Sequence, residues 1–421
     1  MAARDDFLSA LDRNRESGTG VAVSVCSAHR DVLRALFRTA RQRDQFALIE
    51  STSNQVDQYG GYTGMKPADF AAMVYSIADS EGFPSQRILL GGDHLGPNRW
   101  QKGPAETAMS EAETLMAAYV AAGYEKIHLD ASFVCADDTA PLGDEIVAAR
   151  CVRLAKVCEA HAGRVPPVYV IGTEVPTPGG AVEEEEMRPT SPEEAERTLQ
   201  VFESTFLDAG LADAWSRVVG LVVQPGVEFS DDEIADYPGD QGLKDVILRH
   251  RGMGFEAHST DYQTPANLRR LVENHFFFLK VGPWLTFALR ESLMALEAIE
   301  RELNPAEPSH FRAVLDAVMC AEPGYWQNYY AGSAAEMAYK RVYSYSDRAR
   351  YYLGHPKVAS AYGKLLENLG GGVPEALVSQ YLPECFETVR GGGGNRPQDL
   401  ILGRVSKVIG VYYDAGGSMA D

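Results

Sequence analysis

Two histidines and a set of carboxylates stand directly after short apolar runs of the chain, and those donor types are the ones that could do chemistry together. His94 follows residues 88–90, His258 follows 254–257, and Glu174 follows 168–171, with Asp130 and Glu228 behind two further runs. Imidazole nitrogens and carboxylate oxygens make a mixed donor set suited to a divalent metal such as Zn or Mn, with a position left open for substrate. Asp93 immediately precedes His94. A carboxylate beside a metal ligand is placed to act as general base, because the metal stabilises the charge that the base creates. Glu174 is the other carboxylate read for that proton. The simpler alternative is a metal-free polar pocket in which these groups only hydrogen-bond sugar hydroxyls and Asp93 caps a loop.

Other polar residues sit at equivalent places: Glu50 and Asn54, Asn98, Ser259 and Asp261, and Lys280 running into Gly282. They are read as contacts to substrate, with Lys280 as partner for a phosphate or a neighbouring acid. Residues 344–352, Ser-Tyr-Ser-Asp-Arg-Ala-Arg-Tyr-Tyr, add Ser346, Arg348 and Arg350. Arginine's planar fork suits a phosphate monoester better than lysine does; a surface helix face is the competing reading of this stretch.

These residues share a position because of the elements that carry them. Eight apolar runs recur at residues 21–25, 47–50, 88–90, 126–129, 168–171, 218–223, 254–257 and 276–281, each followed by polar or Gly-rich residues and a segment of helical period. Continuous rather than alternating apolar character suits parallel strands buried on both faces. Eight β-loop-α units in roughly 295 residues predict an α/β fold of the TIM (β/α)8 barrel type, in which functional residues lie at the C-terminal strand ends; a doubly wound open sheet is the competitor. Ser191-Pro192-Glu193-Glu194 reads as a capping box opening a helix, and Gly123 as the stop of a helix over 105–122. Residues 1–295 are read as the barrel and 296–421 as a helical C-terminal extension packed on it, with glycine loops at 370–372 and 391–394. The acidic run 183–186 is read as a solvated loop face.

Composition narrows the partners. Acidic residues outnumber basic ones 59 to 39, a formal charge of −20, which repels nucleic acid and anionic lipid. Six cysteines show no CxxC pair and are read as reduced thiols; without an apolar leader or a long apolar span, the expectation is a cytoplasmic protein. There is no GxxxxGK[ST] phosphate loop, and no GxGxxG after the first run, which argues against a Walker-type kinase and a dinucleotide enzyme.

At these motifs the sequence resembles the GatZ/KbaZ family, the accessory subunits of class II tagatose-1,6-bisphosphate aldolases. The resemblance rests on GGDHLGPNRWQ (91–101), KIHLDAS (126–132), IGTEVPTPGG (171–180), VVQPGVEF (222–229), EAHSTDYQT (256–264), LKVGPWLTFALRE (279–291), YSDRARYY (345–352) and SQYLP (379–383), and so covers nearly the whole chain. It implies a barrel related to class II aldolases, a role in tagatose or galactitol breakdown, and a catalytic aldolase subunit as partner; some relatives are 4-epimerases of ketohexoses or their 6-phosphates. In class II aldolases a base Asp precedes a metal-binding His, as in Asp93-His94, and a later His-Gly-Ala-Ser-Asp motif is similar to the segment from His258 to Asp261. Here the Gly-Ala is replaced, and Glu174 stands in the region of the middle His ligand. Those departures count against aldolase activity by this chain alone while keeping a metal site.

Two expectations follow. The chain is either a metal-dependent 4-epimerase of D-tagatose 6-phosphate or a related ketohexose, working by retro-aldol chemistry, or a non-catalytic subunit that stabilises an aldolase. A sugar-phosphate substrate fits the first, and a homo-oligomer is compatible with both.

Overall fold

The computed structural model describes residues 2–173 and 188–417. Ten strands form among the described residues: β1 (Ala22–Val25), β2 (Ala47–Thr52), β3 (Ile88–Leu95), β4 (Lys126–Leu129), β5 (Val168–Ile171), β6 (Val218–Val222), β7 (Glu228–Phe229), β8 (Ile234–Ala235), β9 (Gly254–Ala257) and β10 (Phe276–Val281). Eight of them close into a parallel barrel in the order β1-β10-β9-β6-β5-β4-β3-β2, while β7 and β8 pair as a separate antiparallel hairpin. The expected TIM barrel is therefore the fold, and closure removes the open-sheet alternative. Each barrel strand coincides with one of the apolar runs, because a strand covered by helices outside and side chains inside has no face to give to water.

The helices start and stop where their caps dictate. Ser191 Oγ accepts the Glu194 N–H at 3.2 Å while the Glu194 carboxylate accepts the Ser191 N–H at 2.9 Å, opening the helix Pro192–Asp208. The helix Ala105–Ala121 runs out just before Gly123, whose φ of 87° is left-handed. A helix that the periodicity did not single out, Ala3–Ser17, closes the N-terminal end of the barrel. Its Phe7 packs against Phe46, Phe277 and Phe278 with ring centroids 5.2–6.1 Å apart, and Leu48, Leu89, Val170 and Val219 complete this apolar floor.

The helix Pro283–Leu303 runs across residue 295, where the extension was expected to begin. Beyond it lie the helices Phe311–Ala321, Ala334–Tyr343, Pro356–Asn368, Glu375–Tyr381, Pro383–Arg390 and Pro397–Ala415. The last of them packs against the helices Arg30–Gln42, Pro265–Glu273 and Pro283–Leu303. It is tied to the barrel by Tyr412 Oη, which donates to the Thr260 carbonyl at 2.8 Å, and by Tyr413 Oη, which donates to the Phe46 carbonyl at 3.0 Å. Among the described residues no helix is long and apolar enough to cross a membrane. Glu174 and the acidic run 183–186 lie outside the described residues.

Candidate active site at the barrel mouth

The upper half of the barrel interior is polar. Lys126 and His128 on β4, Glu256 on β9, Lys280 on β10, Glu50 on β2 and Asp93 on β3 all point inward and are buried. Lys126 Nζ lies 2.6 Å from Glu50 and 2.7 Å from Glu256. Lys280 Nζ lies 2.5 Å from Asp93 and 3.4 Å from Glu256, and also donates to Glu50. Gly91 makes room for this arrangement, since a Cβ there would come within 2.8 Å of the Glu50 side chain.

Asp93 and His94 both reach the mouth because β3 carries one extra residue. Gly92 pairs with Ile127 and Leu95 with Leu129, so three steps on β3 span two on β4. The extra residue is absorbed at His94, whose φ is 48°, a left-handed conformation that costs a non-glycine residue on the order of 1–3 kcal/mol. Ser259, beside His258, has a φ of 53°. Both strained positions adjoin the imidazoles of the site.

Each of three imidazoles is held by a carboxylate. His94 Nδ1 lies 2.9 Å from Asp130, His128 Nδ1 3.0 Å from Asp93, and His258 Nε2 2.9 Å from Glu256. The ring centroids lie 4.8–5.5 Å apart. Such carboxylate–imidazole pairs fix ring orientation and tautomer. His128 Nε2 is buried with no hydrogen-bond partner.

The charges follow from this crowding. Burial alone would raise the Asp93 carboxyl, but His94, Lys280 and the bond from His128 hold it well below the usual carboxylate range. Glu256 is likewise held well below that range, burial being outweighed by Lys126 and Lys280. His258 is pushed down to about 3 by burial, with Lys280 and His94 adding to the effect against the bond to Glu256, so its ring is neutral near pH 7. His94 moves up, because Asp93 and Asp130 outweigh the burial that opposes it.

One atom each of Asp93, His128, Glu256 and His258 lie within 4.8 Å of one another, a grouping able to hold a metal ion. The donor set fits a divalent cation. It combines neutral imidazole with carboxylate, it contains a buried ring nitrogen lacking a partner, and its charge is unbalanced. The four carboxylates Glu50, Asp93, Asp130 and Glu256 outnumber the two ammonium groups Lys126 and Lys280, and His94, moved up by Asp93 and Asp130, offsets only part of the difference.

Above this floor opens a cavity of about 530 Å³. The N-cap residues of three helices line it: His29 of Arg30–Gln42, Gly282 of Pro283–Leu303 and His355 of Pro356–Asn368. Arg350 lines it too. Helix N-termini and a guanidinium together favour an anion.

Residues 8–417 match the family described as D-tagatose-1,6-bisphosphate aldolase subunit GatZ/KbaZ-like. The chain belongs to this family. A crystal structure described as a probable tagatose 6 phosphate kinase from Sinorhizobium meliloti is 46% identical, with a TM-score of 0.87 over 94% of this chain and 100% of that one. A fructuronate-tagaturonate epimerase from Cohnella laeviribosi is 13% identical, with a TM-score of 0.48 over 96% of this chain and 82% of that one. A fructose-bisphosphate aldolase from Campylobacter jejuni is 12% identical, with a TM-score of 0.46 over 88% and 93%.

In this GatZ/KbaZ-like chain the residues singled out from the sequence fall into three groups. Asp93, His94, His258, Asn54, Ser259, Asp261, Lys280, Gly282 and Arg350 line the cavity. Glu50 and Asp130 lie behind it, one gripped by the two lysines and the other by His94 and Ser132. Asn98, Glu228, Ser346 and Arg348 are not among the lining residues. Asn98 accepts from Gln101 at 2.8 Å, and Glu228 accepts the N–H of Phe229 at 3.0 Å, with burial pushing its carboxyl up to about 7. Ser346 bonds Ser344 at 2.8 Å, and Arg348 lies over the Tyr329 ring. His94, Asp130 and Glu228, all read as metal ligands, are outside the four-residue metal grouping, His94 because its ring is held by Asp130, and the Lys280 ammonium is engaged by carboxylates rather than turned to a phosphate.

Reading only strand ends missed Lys126, His128 and Glu256. Their signal was present: Lys126-His128-Asp130 and Glu256-His258 stand at alternate positions, hence on one face, of strands otherwise apolar throughout.

Proposed function

We propose that this chain is a metal-dependent 4-epimerase of D-tagatose 6-phosphate or a closely related ketohexose. The observation that carries the reading is the buried layer of carboxylates, imidazoles and ammonium groups opening into a cavity with an anion-favouring wall. Burying so many charges works against folding, and a subunit needed only for packing has no use for them.

His128, Glu256 and His258 would hold the divalent ion, with Asp93 against it. When bound, such an ion supplies Lewis-acid stabilisation of charge developing on the substrate oxygens. The C4 hydrogen of a 2-ketose is not adjacent to the carbonyl, so enolisation cannot invert C4. Asp93 instead takes the C4 hydroxyl proton, the C3–C4 bond breaks, and its electron pair passes to the C2 carbonyl. The products are an enediolate and a three-carbon aldehyde phosphate. Arg350 and the helix N-termini at His29 and His355 keep hold of the phosphate while the aldehyde turns, and re-addition to its other face gives the epimer. The same grip favours a phosphorylated sugar over the free one.

The family's description supports a second reading, a non-catalytic subunit stabilising a class II D-tagatose-1,6-bisphosphate aldolase. A Walker-type kinase finds no support, since the sequence has no phosphate loop. NMR of D-tagatose 6-phosphate with the purified chain alone, with added divalent metal and after chelation, separates the two. Metal-dependent appearance of D-fructose 6-phosphate is expected; no turnover with any metal would leave the subunit reading.

A further inference from the structure

The 4-epimerase reading contains a demand that Asp93 alone does not meet. In the two epimers the C4 oxygen points to opposite sides of the carbon chain. A group placed to take its proton from one epimer is badly placed to return a proton after the aldehyde has turned. Interconversion therefore calls for a second acid–base group on a different part of the cavity wall.

The part of the wall built by the C-terminal helical region supplies one. Tyr351 lines the cavity next to Arg350. Arg350 donates from Nη2 to the Tyr351 Oη at 2.9 Å, and its guanidinium carbon lies 4.4 Å from the centre of the ring. Arg348 lies on the same ring at 5.8 Å. The ring is clamped: Tyr325 stacks on it at 4.8 Å with planes 10° apart, and Tyr62 meets it edge-on at 4.9 Å. The Arg350 guanidinium is fixed in turn by the carbonyls of Ser346 and Asp347. Asp347 is anchored to the barrel by a buried ion pair with Arg290 at 2.7 Å.

A phenol held rigidly beside two guanidinium groups has its anion stabilised in place. Burial opposes ionisation, but Arg350 and Arg348 outweigh it and hold the Tyr351 phenol below its ordinary value. Its neighbour Tyr62, without such a donor pair, is driven the other way.

We infer that Tyr351 is the second acid–base residue of the reaction, serving the epimer whose C4 oxygen faces away from Asp93. In one direction Asp93 takes the C4 hydroxyl proton and the C3–C4 bond breaks. After the aldehyde turns, C3 attacks C4, the carbonyl electron pair moves to the oxygen, and Tyr351 gives that oxygen its proton. Asp93 has then gained one proton and Tyr351 lost one, and exchange with water restores both when product leaves. The reverse reaction uses the same two groups in exchanged roles.

This inference rests on the 4-epimerase reading, and the test keeps their failures apart. Tyr351→Phe keeps the ring and its stacking and removes only the hydroxyl. For the metal-loaded chain, kcat for epimerisation is expected to fall about 10²–10⁴-fold, as for loss of a general acid or base, with KM little changed. A phenolate absorbance titration should lose one low-pH component in the variant. Cleavage of D-tagatose 6-phosphate, followed by trapping the released aldehyde, should fall much less in the direction that begins at Asp93. If the wild-type chain turns over and Tyr351→Phe stays within about threefold of it, the inference fails alone. If the two drop in cleavage and epimerisation equally, Tyr351 only positions Arg350. If the wild-type chain does nothing with the sugar phosphate, the epimerase reading fails and the role of Tyr351 with it.

Discussion

The two ends of the barrel interior are built on opposite principles. At the N-terminal end Phe7, Phe46, Phe277 and Phe278 meet edge to face in a dry plug. A few ångströms further along the same strands, Glu50, Asp93, Lys126, Glu256 and Lys280 are buried just as completely but as charges. β10 shows the change within one strand, with Phe278 facing the plug and Lys280 facing the carboxylates. Apolar burial stabilises by about 25 cal/mol per Å², whereas each buried charge must recover a desolvation cost from its partners. One end holds the fold together and the other is carried by it.

The contrast is broken most directly by separating activity from stability. Asp93→Asn removes the base while keeping shape, and kcat should fall about 10²–10⁴-fold in a protein that still folds, the lost charge beside Lys280 and His128 costing some stability. Phe7→Ala should do the reverse. It leaves a cavity in the plug and should cost about 3–5 kcal/mol by urea denaturation, while the folded protein keeps its kcat/KM and its metal affinity. Loss of activity in Phe7→Ala at full folding would show that the plug sets the geometry of the mouth, and the division would fail.

The polar layer can then be tested against itself. Lys126→Met leaves Glu50 and Glu256 with Lys280 as their only shared cation, which Asp93 also engages, and should cost about 3–5 kcal/mol. Adding Glu50→Gln and Glu256→Gln should recover much of that loss, because the uncompensated charge is gone. The same triple variant should bind divalent metal far more weakly by calorimetry. If Lys126→Met is as stable as the wild type, the ion pairs at 2.6 and 2.7 Å are not holding the layer.

The barrel was legible in the sequence because parallel buried strands write themselves as unbroken apolar runs, and all eight stand where those runs do. β3 runs further than its apolar run, through Gly-Gly-Asp-His to Leu95, because a one-residue bulge keeps polar residues within a strand. The helix Ala3–Ser17 was illegible for another reason: its apolar residues are few, and they pack on a floor formed by strands distant in sequence. Strand-end logic singled out Asp93, His94 and His258, which line the cavity, but not the layer beneath, since Lys126, His128 and Glu256 lie inside the runs rather than after them. Tyr351 was hidden differently again. Its setting is made by Tyr62, from the loop after β2, and Tyr325, from beyond the barrel, and no local pattern announces that meeting.

The smallest predicted effect lies at the border between the two regimes. Asp261 is buried, and its Oδ1 accepts the N–H groups of Gly282 and Trp284 at 3.0 and 2.8 Å, at the start of the helix Pro283–Leu303. Burial nevertheless pushes its carboxyl up to about 6. A carboxyl whose folded value exceeds its unfolded value of about 3.9 binds its proton more tightly in the folded state. Folding is then opposed increasingly as pH rises from about 4 to about 6, and the penalty is constant above that window. At roughly 1.4 kcal/mol per pKa unit it amounts to on the order of 2–3 kcal/mol. Asp261→Asn keeps an acceptor for the two N–H groups and removes the titration. The stability of Asp261→Asn relative to wild type, from urea unfolding, should therefore climb between about pH 4 and pH 6 and then level off. A difference that stays flat with pH would mean that the helix N-terminus keeps this carboxylate charged despite its burial. The anion-favouring field at the cavity would then be stronger than burial suggests, and the polar regime of the mouth would extend to the rim of the helix.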